Sequence, residues 1–227
     1  MNKRIKTSIQ MIADYDNEYS KFFDVAVEGS MPVLATRSLV LFPGIISPIL
    51  IGRKQSLSLL KYVNKLEDPI FTVFCQKDNN VEKPEEKDLY RYGVYARLMK
   101  VIDMPGPGNN VTAIVQAMGR CELRKITRLT PYIVGDVAPA REDKPEADDE
   151  EFKTASEDLK TSAFNYIRDN EDLPDEAKLA LENIHNDVIA LNFVCTNLPF
   201  NVADKIELLT MNSLKDRLIG TLKVLHK

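Results

Sequence analysis

Val40-Leu41-Phe42-Pro43-Gly44-Ile45-Ile46-Ser47-Pro48-Ile49-Leu50-Ile51-Gly52 is the stretch whose reading decides the fold. The greasy run from Leu39 to Ile51 is too short to cross a bilayer and is broken by Pro43, Gly44 and Pro48, so it belongs in a protein core. Pro43-Gly44 interrupts the first apolar run so that the chain can reverse. Ile46 to Ile51 then reads as a strand, and Gly52 ends it before a helix.

Working outward, β-branched and aromatic residues gather in short runs from Met31 to about Ala140, separated by turn chemistry, as in an all-β unit. The expected strand cores are Val33 to Thr36, Ile46 to Ile51, Ile70 to Cys75, Val94 to Ile102, Val111 to Met118 and Tyr132 to Val137. Lys54 to Lys65 places Leu57, Leu60 and Val63 on one face and predicts a single helix between the second and third strands. Pro105-Gly106-Pro107-Gly108-Asn109-Asn110 is expected to turn a hairpin. Six short strands with one helix are expected to curl into a partly closed barrel, because closure removes edges that would otherwise recruit other chains.

At Arg141 to Glu151 charged residues and proline dominate, which reads as a hinge or as the solvated start of a helix. Beyond it the period turns helical: Phe152, Ala155, Leu159, Ala163 and Ile167 make one stripe. Pro174-Asp175-Glu176 suits a first helical turn, with a helix through Leu181. Another runs from about Asn186 to Asn197 and stops near Pro199. Asn201 with Asp204, and Ser213 with Asp216, have the spacing of a cap residue and its N3 carboxylate, so two more helices start there. The last carries Leu214, Leu218, Leu222 and Leu225 on one face and reaches Lys227 without a capping glycine, so the natural polypeptide is expected to continue. The expected organisation is α+β: a weakly ordered arm over 1–30, with helical spacing only from Ile5 to Ile12, a barrel over 31–140, and a helical bundle over 141–227.

Net charge is -4, so a phosphate backbone meets repulsion on average and nucleic acid is not the expected partner. Arg120, Arg124, Lys125 and Arg128 form a short basic run on a strand, read as a solvated edge that discourages aggregation. Cys75, Cys121 and Cys195 are too far apart for a disulfide framework or a paired metal site, and read as small buried hydrophobes in a reducing cytoplasm. The first residues lack the apolar centre of a signal peptide.

An ordered set of fragments then carries a family resemblance. Pro32-Val33-Leu34-Ala35-Thr36-Arg37, Val40-Leu41-Phe42-Pro43-Gly44, and Pro48-Ile49-Leu50-Ile51-Gly52-Arg53 with Ser56 resemble the start of Lon protease amino-terminal domains. Gln76-Lys77-Asp78, Asp88-Leu89-Tyr90, Gly93, Ala96-Arg97, Pro131-Tyr132 and Val137 are similar to later family positions. Lys205, Leu208-Leu209 and Arg217-Leu218 resemble its helical subdomain. Ala117 and Gly135 depart from the pattern, where glycine and alanine respectively are usual. Pro32, Arg37, Pro43, Gly44, Pro48, Gly52 and Gly93 are accordingly expected to be structural.

The resemblance implies a region that recognises unfolded or damaged proteins for an ATPase module and a Ser-Lys peptidase module, both absent here. It further implies a PUA-like form for the barrel and a homo-hexameric full-length protein, with this region alone a monomer or weak dimer, while the charge balance and the short apolar runs lead to no expected nucleic-acid or membrane partner. The nine glycines never form a phosphate-cradling Gly-x-x-x-x-Gly-Lys-Ser/Thr loop. No catalytic, cofactor or metal residues are therefore expected in this chain, with ATP and Mg²⁺ assigned to the missing ATPase. His185 and His226 stand beside no carboxylate or cysteine at ligand spacing, and Asp148-Asp149-Glu150-Glu151 lacks the glycine turn of a calcium loop. Arg53, Lys54 and Gln55, at a strand-to-helix junction beside Ile49 to Ile51, are the expected substrate-contacting residues. A free-standing adaptor or ligand-binding protein on the same barrel is the alternative.

Overall fold

The computed structural model describes residues 25, 27–104, 110–146, 148–170, 172–173 and 176–226. The amino-terminal arm up to residue 24, the centre of the expected hairpin turn at 105–109, the expected helix start at Pro174-Asp175, and Lys227 lie outside them. The first part runs β1 (Gly29–Thr36), β2 (Ile46–Ile51), α1 (Lys54–Val63), β3 (Ile70–Cys75), a 3-10 turn at Glu86–Asp88, β4 (Tyr92–Asp103), β5 (Val111–Arg128) and β6 (Ile133–Pro139). It is followed by α2 (Glu150–Asp169), α3 (Glu176–Asn183), α4 (Asp187–Asn197), α5 (Val202–Thr210) and α6 (Leu214–Leu225).

The strands form one mixed sheet in the order β2-β5-β4-β3-β1-β6, in which β6 also pairs with β5. Only β1 with β3 is parallel. The extra pairing closes a hydrogen-bonded circuit of β5, β4, β3, β1 and β6, while β2 lies outside it against the first half of β5. One strand can serve so many neighbours because β5 is long: Val111 to Gln116 faces β2, and Cys121 to Arg128 faces β6. Register shifts at Val94/Ala96, Leu98/Lys100, Leu123/Lys125 and Ile126/Arg128 supply the bends, since a bulge kinks and twists its strand.

Alternation sorts the strands into two cores. Met31, Val33 and Ala35 of β1 join Phe74, Tyr95, Met118, Cys121, Leu123, Ile133 and Val137. Leu34, on the other face, joins Phe71, Val73, Val94, Ala96 and Leu98 in a larger core shared with α1 and the helices. Residues Val188 to Thr196 of α4 are all buried, so α4 is the central helix of the bundle, enclosed on every side rather than along one stripe. Helix α2 buries Phe152, Leu159, Ala163 and Ile167. Capping chemistry starts the helices where the sequence places it: Asn201 accepts from Asp204 N at 2.8 Å and Ser213 from Asp216 N at 3.1 Å.

The Phe42-Pro43-Gly44 turn is gripped from both sides. Gly44 has φ +86° and its N–H donates to Ala117 O at 2.9 Å, a conformation that only glycine adopts without strain. The buried Asn192 of α4 donates to Pro43 O at 3.0 Å, which ties the sheet to the bundle.

The charged segment after β6 is not free to act as a simple hinge. Glu142 accepts from Arg120 Nε at 2.5 Å and from both terminal nitrogens of Arg217 at 3.1 and 3.2 Å, and both arginine side chains are fully buried. Arg120 also donates to Leu209 O at 2.7 Å, and Arg217 to Met211 O at 2.9 Å. Arg120 is thus no part of a solvated basic edge. A charge paired in the interior and a charge in water look the same in composition, which is why the run misleads. The three cysteines are free and buried; burial raises each thiol pKa, that of Cys195 to about 11.

Candidate functional site

The junction between β2 and α1 is built around Arg53, the residue that opens α1. Its guanidinium donates to Gln76 Oε1 at 2.6 Å and to Ala35 O. Gln76, itself buried, donates to Val81 O at 2.9 Å, so Arg53 joins β2, the end of β1 and the loop after β3. Partial burial and the nearby Arg37 lower the Arg53 pKa from its ordinary value, which Glu82 opposes. Lys54 is exposed. Gln55 turns the other way and donates to Leu129 O at 2.5 Å. The three residues are neighbours in sequence but face different ground.

Arg53 lines a cleft of about 450 Å³. Leu34 to Arg37 form one wall and Pro48 to Gly52 the other, with Leu39, Ser56 and Asn110 completing it. Gly52 is held open by its surroundings, since a Cβ there would lie 2.3 Å from Asn110 Oδ1. Arg37 pairs with Glu82 at 2.8 Å on the rim. Of the remaining motif residues, Pro32 sits in β1 opposite Val134, and its carbonyl accepts from Thr72 Oγ1 at 2.9 Å. A Cβ on Gly93 would lie 2.2 Å from Val73 O, so glycine lets β4 approach β3.

Beside the cleft, the outer face of β2, β5 and β4 is apolar and open. Pairing places Leu50, Thr112 and Ile102 in one row, and Pro48, Ile114 and Lys100 in the next. Leu50 is 68% exposed, and Ile102, Met99 and Met104 are also exposed. Large apolar groups gathered at one end of a well-packed sheet mark an interaction surface. Sequence reasoning placed Leu50 and Ile102 in strands but not on one face, because a register fixed by pairing leaves no mark in composition. The alternation of exposed Leu50 with buried Ile49 and Ile51 was the available signal.

A larger cleft of about 950 Å³ has Lys77, Lys87, Arg91, Arg124 and Arg128 in its walls together with Glu85 and Glu86. Two of its arginines are paired with carboxylates, Arg124 with Glu28 at 2.6 Å and Arg91 with Glu122, while Arg128 lies over the Tyr132 ring, 4.9 Å from its centre. It offers mixed charge rather than an anion site. His185 and His226 are exposed, and no group of three or more His, Cys, Asp or Glu side chains able to hold a metal ion occurs among the described residues.

The model of the ATP-dependent protease La (LON) substrate-binding domain matches residues 30–227. The chain belongs to this Lon substrate-binding domain family. The Lon protease of Flavobacterium johnsoniae is 33% identical over 197 residues, covering 87% of this chain and 24% of that protein. The Lon protease of Porphyromonas gingivalis is 34% identical over 218 residues, covering 93% of this chain and 25% of that protein. The chain therefore spans about a quarter of the length of these Lon relatives. The solved N-terminal domain of Mycobacterium avium complex Lon protease shares the fold, with a TM-score of 0.67 at 16% identity over 87% of this chain and 98% of that one. The Lon N-terminal domain protein from Xanthomonas campestris gives 0.57 at 17% identity over 86% and 97%. This is the Lon N-terminal fold, a six-stranded mixed sheet with six helices among the described residues.

Proposed function

We propose that this Lon substrate-binding domain holds unfolded or damaged proteins for ATPase and peptidase modules carried elsewhere in the full-length protein, and that the outer face of β2, β5 and β4 does the holding. The observation that carries the reading is the open double row of Leu50, Thr112 and Ile102 beside Pro48, Ile114 and Lys100. Unfolded chains display apolar segments of many sequences, and a shallow apolar surface with a polar rim accepts them where a deep pocket would exclude most. Arg53 contributes from the cleft wall and Lys54 from the exposed start of α1, while Gln55 is bonded to Leu129 O on the side away from the cleft. A millimolar contact is worth only about 4 kcal/mol, but several copies in one assembly hold a long client through effective concentration.

The wider picture follows the family. The closed strand circuit supports a PUA-like barrel over 31–140 and a helical subdomain over 141–227. The full-length protein is a homo-hexamer assembled through its other modules, which bind ATP and Mg²⁺, and this region carries no catalytic residue or cofactor of its own. No helix among the described residues is long and apolar enough to cross a membrane, and the three free thiols suit a reducing cytoplasm. The acidic balance supports protein rather than nucleic-acid partners.

The test is the paired substitution Leu50→Asp and Ile102→Asp, titrated by fluorescence anisotropy with a dye-labelled, reduced and alkylated polypeptide. Binding at least tenfold weaker, with native circular dichroism, is the expected result. Undiminished binding by the folded variant removes this face from the mechanism.

A further inference from the structure

The cleft beside Arg53 has an unusual construction: both walls are strand edges whose outward main-chain groups have no strand partner among the described residues. On the β2 side, Ala117 N–H donates to Ile45 O, and the register runs on as Ser47 with Val115, Ile49 with Ala113 and Ile51 with Val111. Odd residues of β2 therefore bond to β5. Alternation turns the main-chain groups of Ile46, Pro48 and Leu50 away from it, toward the outer edge, where no strand among the described residues pairs with β2. Pro48 sits where a missing N–H costs the β5 ladder nothing.

On the β1 side the partner strand stops early. Strand β6 pairs with β1 only from Gly29 to Val33, whereas β3 continues alongside to Thr36. Gln76 N–H donates to Thr36 O at 2.8 Å, so Thr36 faces β3, and Ala35 faces the side that β6 has vacated. There the Arg53 guanidinium takes the Ala35 carbonyl. An arginine side chain thus stands in for the next donor of a strand that is not there.

We propose that this cleft receives an extended segment of the client polypeptide, which adds to β2 as a further strand, hydrogen-bonding to Leu50 N–H and to the Leu50 and Pro48 carbonyls. The inference rests on the client-holding role proposed above and deepens it. Main-chain recognition explains how one site takes many sequences, because every client carries the same amides whatever its side chains. Leu50 joins the two surfaces: its main chain lines the cleft edge, and its side chain lies on the apolar face. A strand seated there presents alternate side chains to that face. Pro48, which offers no N–H, limits the ladder to a few bonds and keeps each contact weak enough to release.

The experiment compares Leu50→Pro with Leu50→Ala in the full chain. Both replace the leucine isobutyl group by a smaller one, but only proline removes the outward N–H, and neither touches the bonds to β5. Binding of the reduced, alkylated, dye-labelled polypeptide should be roughly tenfold weaker for L50P than for L50A, as expected for the loss of one hydrogen bond. Independently of folding of the variant, the unsubstituted chain should bind a lysine-flanked Val-Thr repeat peptide at least tenfold better than the same peptide N-methylated at alternate residues. In ¹⁵N-labelled protein, the Leu50 amide should shift and exchange more slowly on adding the unmethylated peptide. Equal binding of methylated and unmethylated peptides, with an unmoved Leu50 amide, overturns strand addition while leaving client holding intact. Failure of the unsubstituted chain to bind any unfolded polypeptide overturns both.

Discussion

Replacing Glu142 by glutamine should destabilise the whole domain, although the segment it belongs to reads in sequence as a charged linker. Glu142 is the shared carboxylate of two fully buried arginines, Arg120 and Arg217, and its own side chain is 15% exposed. Burial and the facing Arg217 already lower the Arg120 pKa, with Glu142 acting against both. Glutamine keeps the size and one acceptor but leaves two guanidinium charges in the interior without their counter-charge. Breaking a buried pair in this way costs about 3–5 kcal/mol, a large part of the roughly 5–15 kcal/mol that holds a typical domain together. At about 2–4 °C per kcal/mol for a protein of this size, Tm should fall by about 6–20 °C. Urea unfolding followed by far-UV circular dichroism measures the free energy directly. The control is Glu82→Gln, which breaks the exposed Arg37 pair and should cost less than about 1 kcal/mol. If E142Q lies within about 1 kcal/mol of the parent at an unchanged urea slope, the buried cluster does not hold the two halves together as described.

Other substitutions probe separate elements. Gly93→Ala, whose Cβ would meet the Val73 carbonyl at 2.2 Å, should cost about 3 kcal/mol, the upper end for overpacking, because the obstacle is main chain. Gly220→Ala, which meets only the flexible ends of Leu208 and Met211 at 2.9 and 3.1 Å, should be near neutral in the same unfolding assay. Asn201→Ala and Ser213→Ala each remove a helix cap and should cost about 0.5–2 kcal/mol, measured singly by urea unfolding. Lys205, whose ammonium donates to Thr196 O at 2.7 Å, has its pKa lowered to about 8 by burial from an ordinary 10.5. Between those values the unfolded chain binds a proton that the folded chain has released, so stability should rise with pH across the window. Lys205→Met should abolish that rise and be relatively more stable at pH 7, the difference shrinking as pH passes 8; parallel unfolding curves at pH 7 and 9.5 decide it.

Local chemistry was legible without coordinates. Turn residues, β-branched runs and helical stripes depend on near neighbours, so the sheet-then-helix order, the break at Pro43-Gly44 and the caps at Asn201 and Ser213 follow from the amino acids themselves. Even there, strand length escaped. The core at Val111 to Met118 and the basic run at Arg120 to Arg128 read as separate strand pieces, whereas they form one strand, Val111–Arg128, because pairing with β6 continues where pairing with β2 stops.

Which distant groups meet is settled by the folded chain alone. The sequence by itself determined a β-rich first half, a helical second half and the ordered fragments that resemble Lon, all short-range or additive properties. It could not place Arg120, Glu142 and Arg217 in one buried cluster, set Leu50 beside Ile102, or show that Arg53 fills the place of a missing strand at Ala35. Those relations depend on register and on sheet closure, which bring together residues tens of positions apart. Their free energy belongs to the pair rather than to either member, so composition and spacing carry no trace of it.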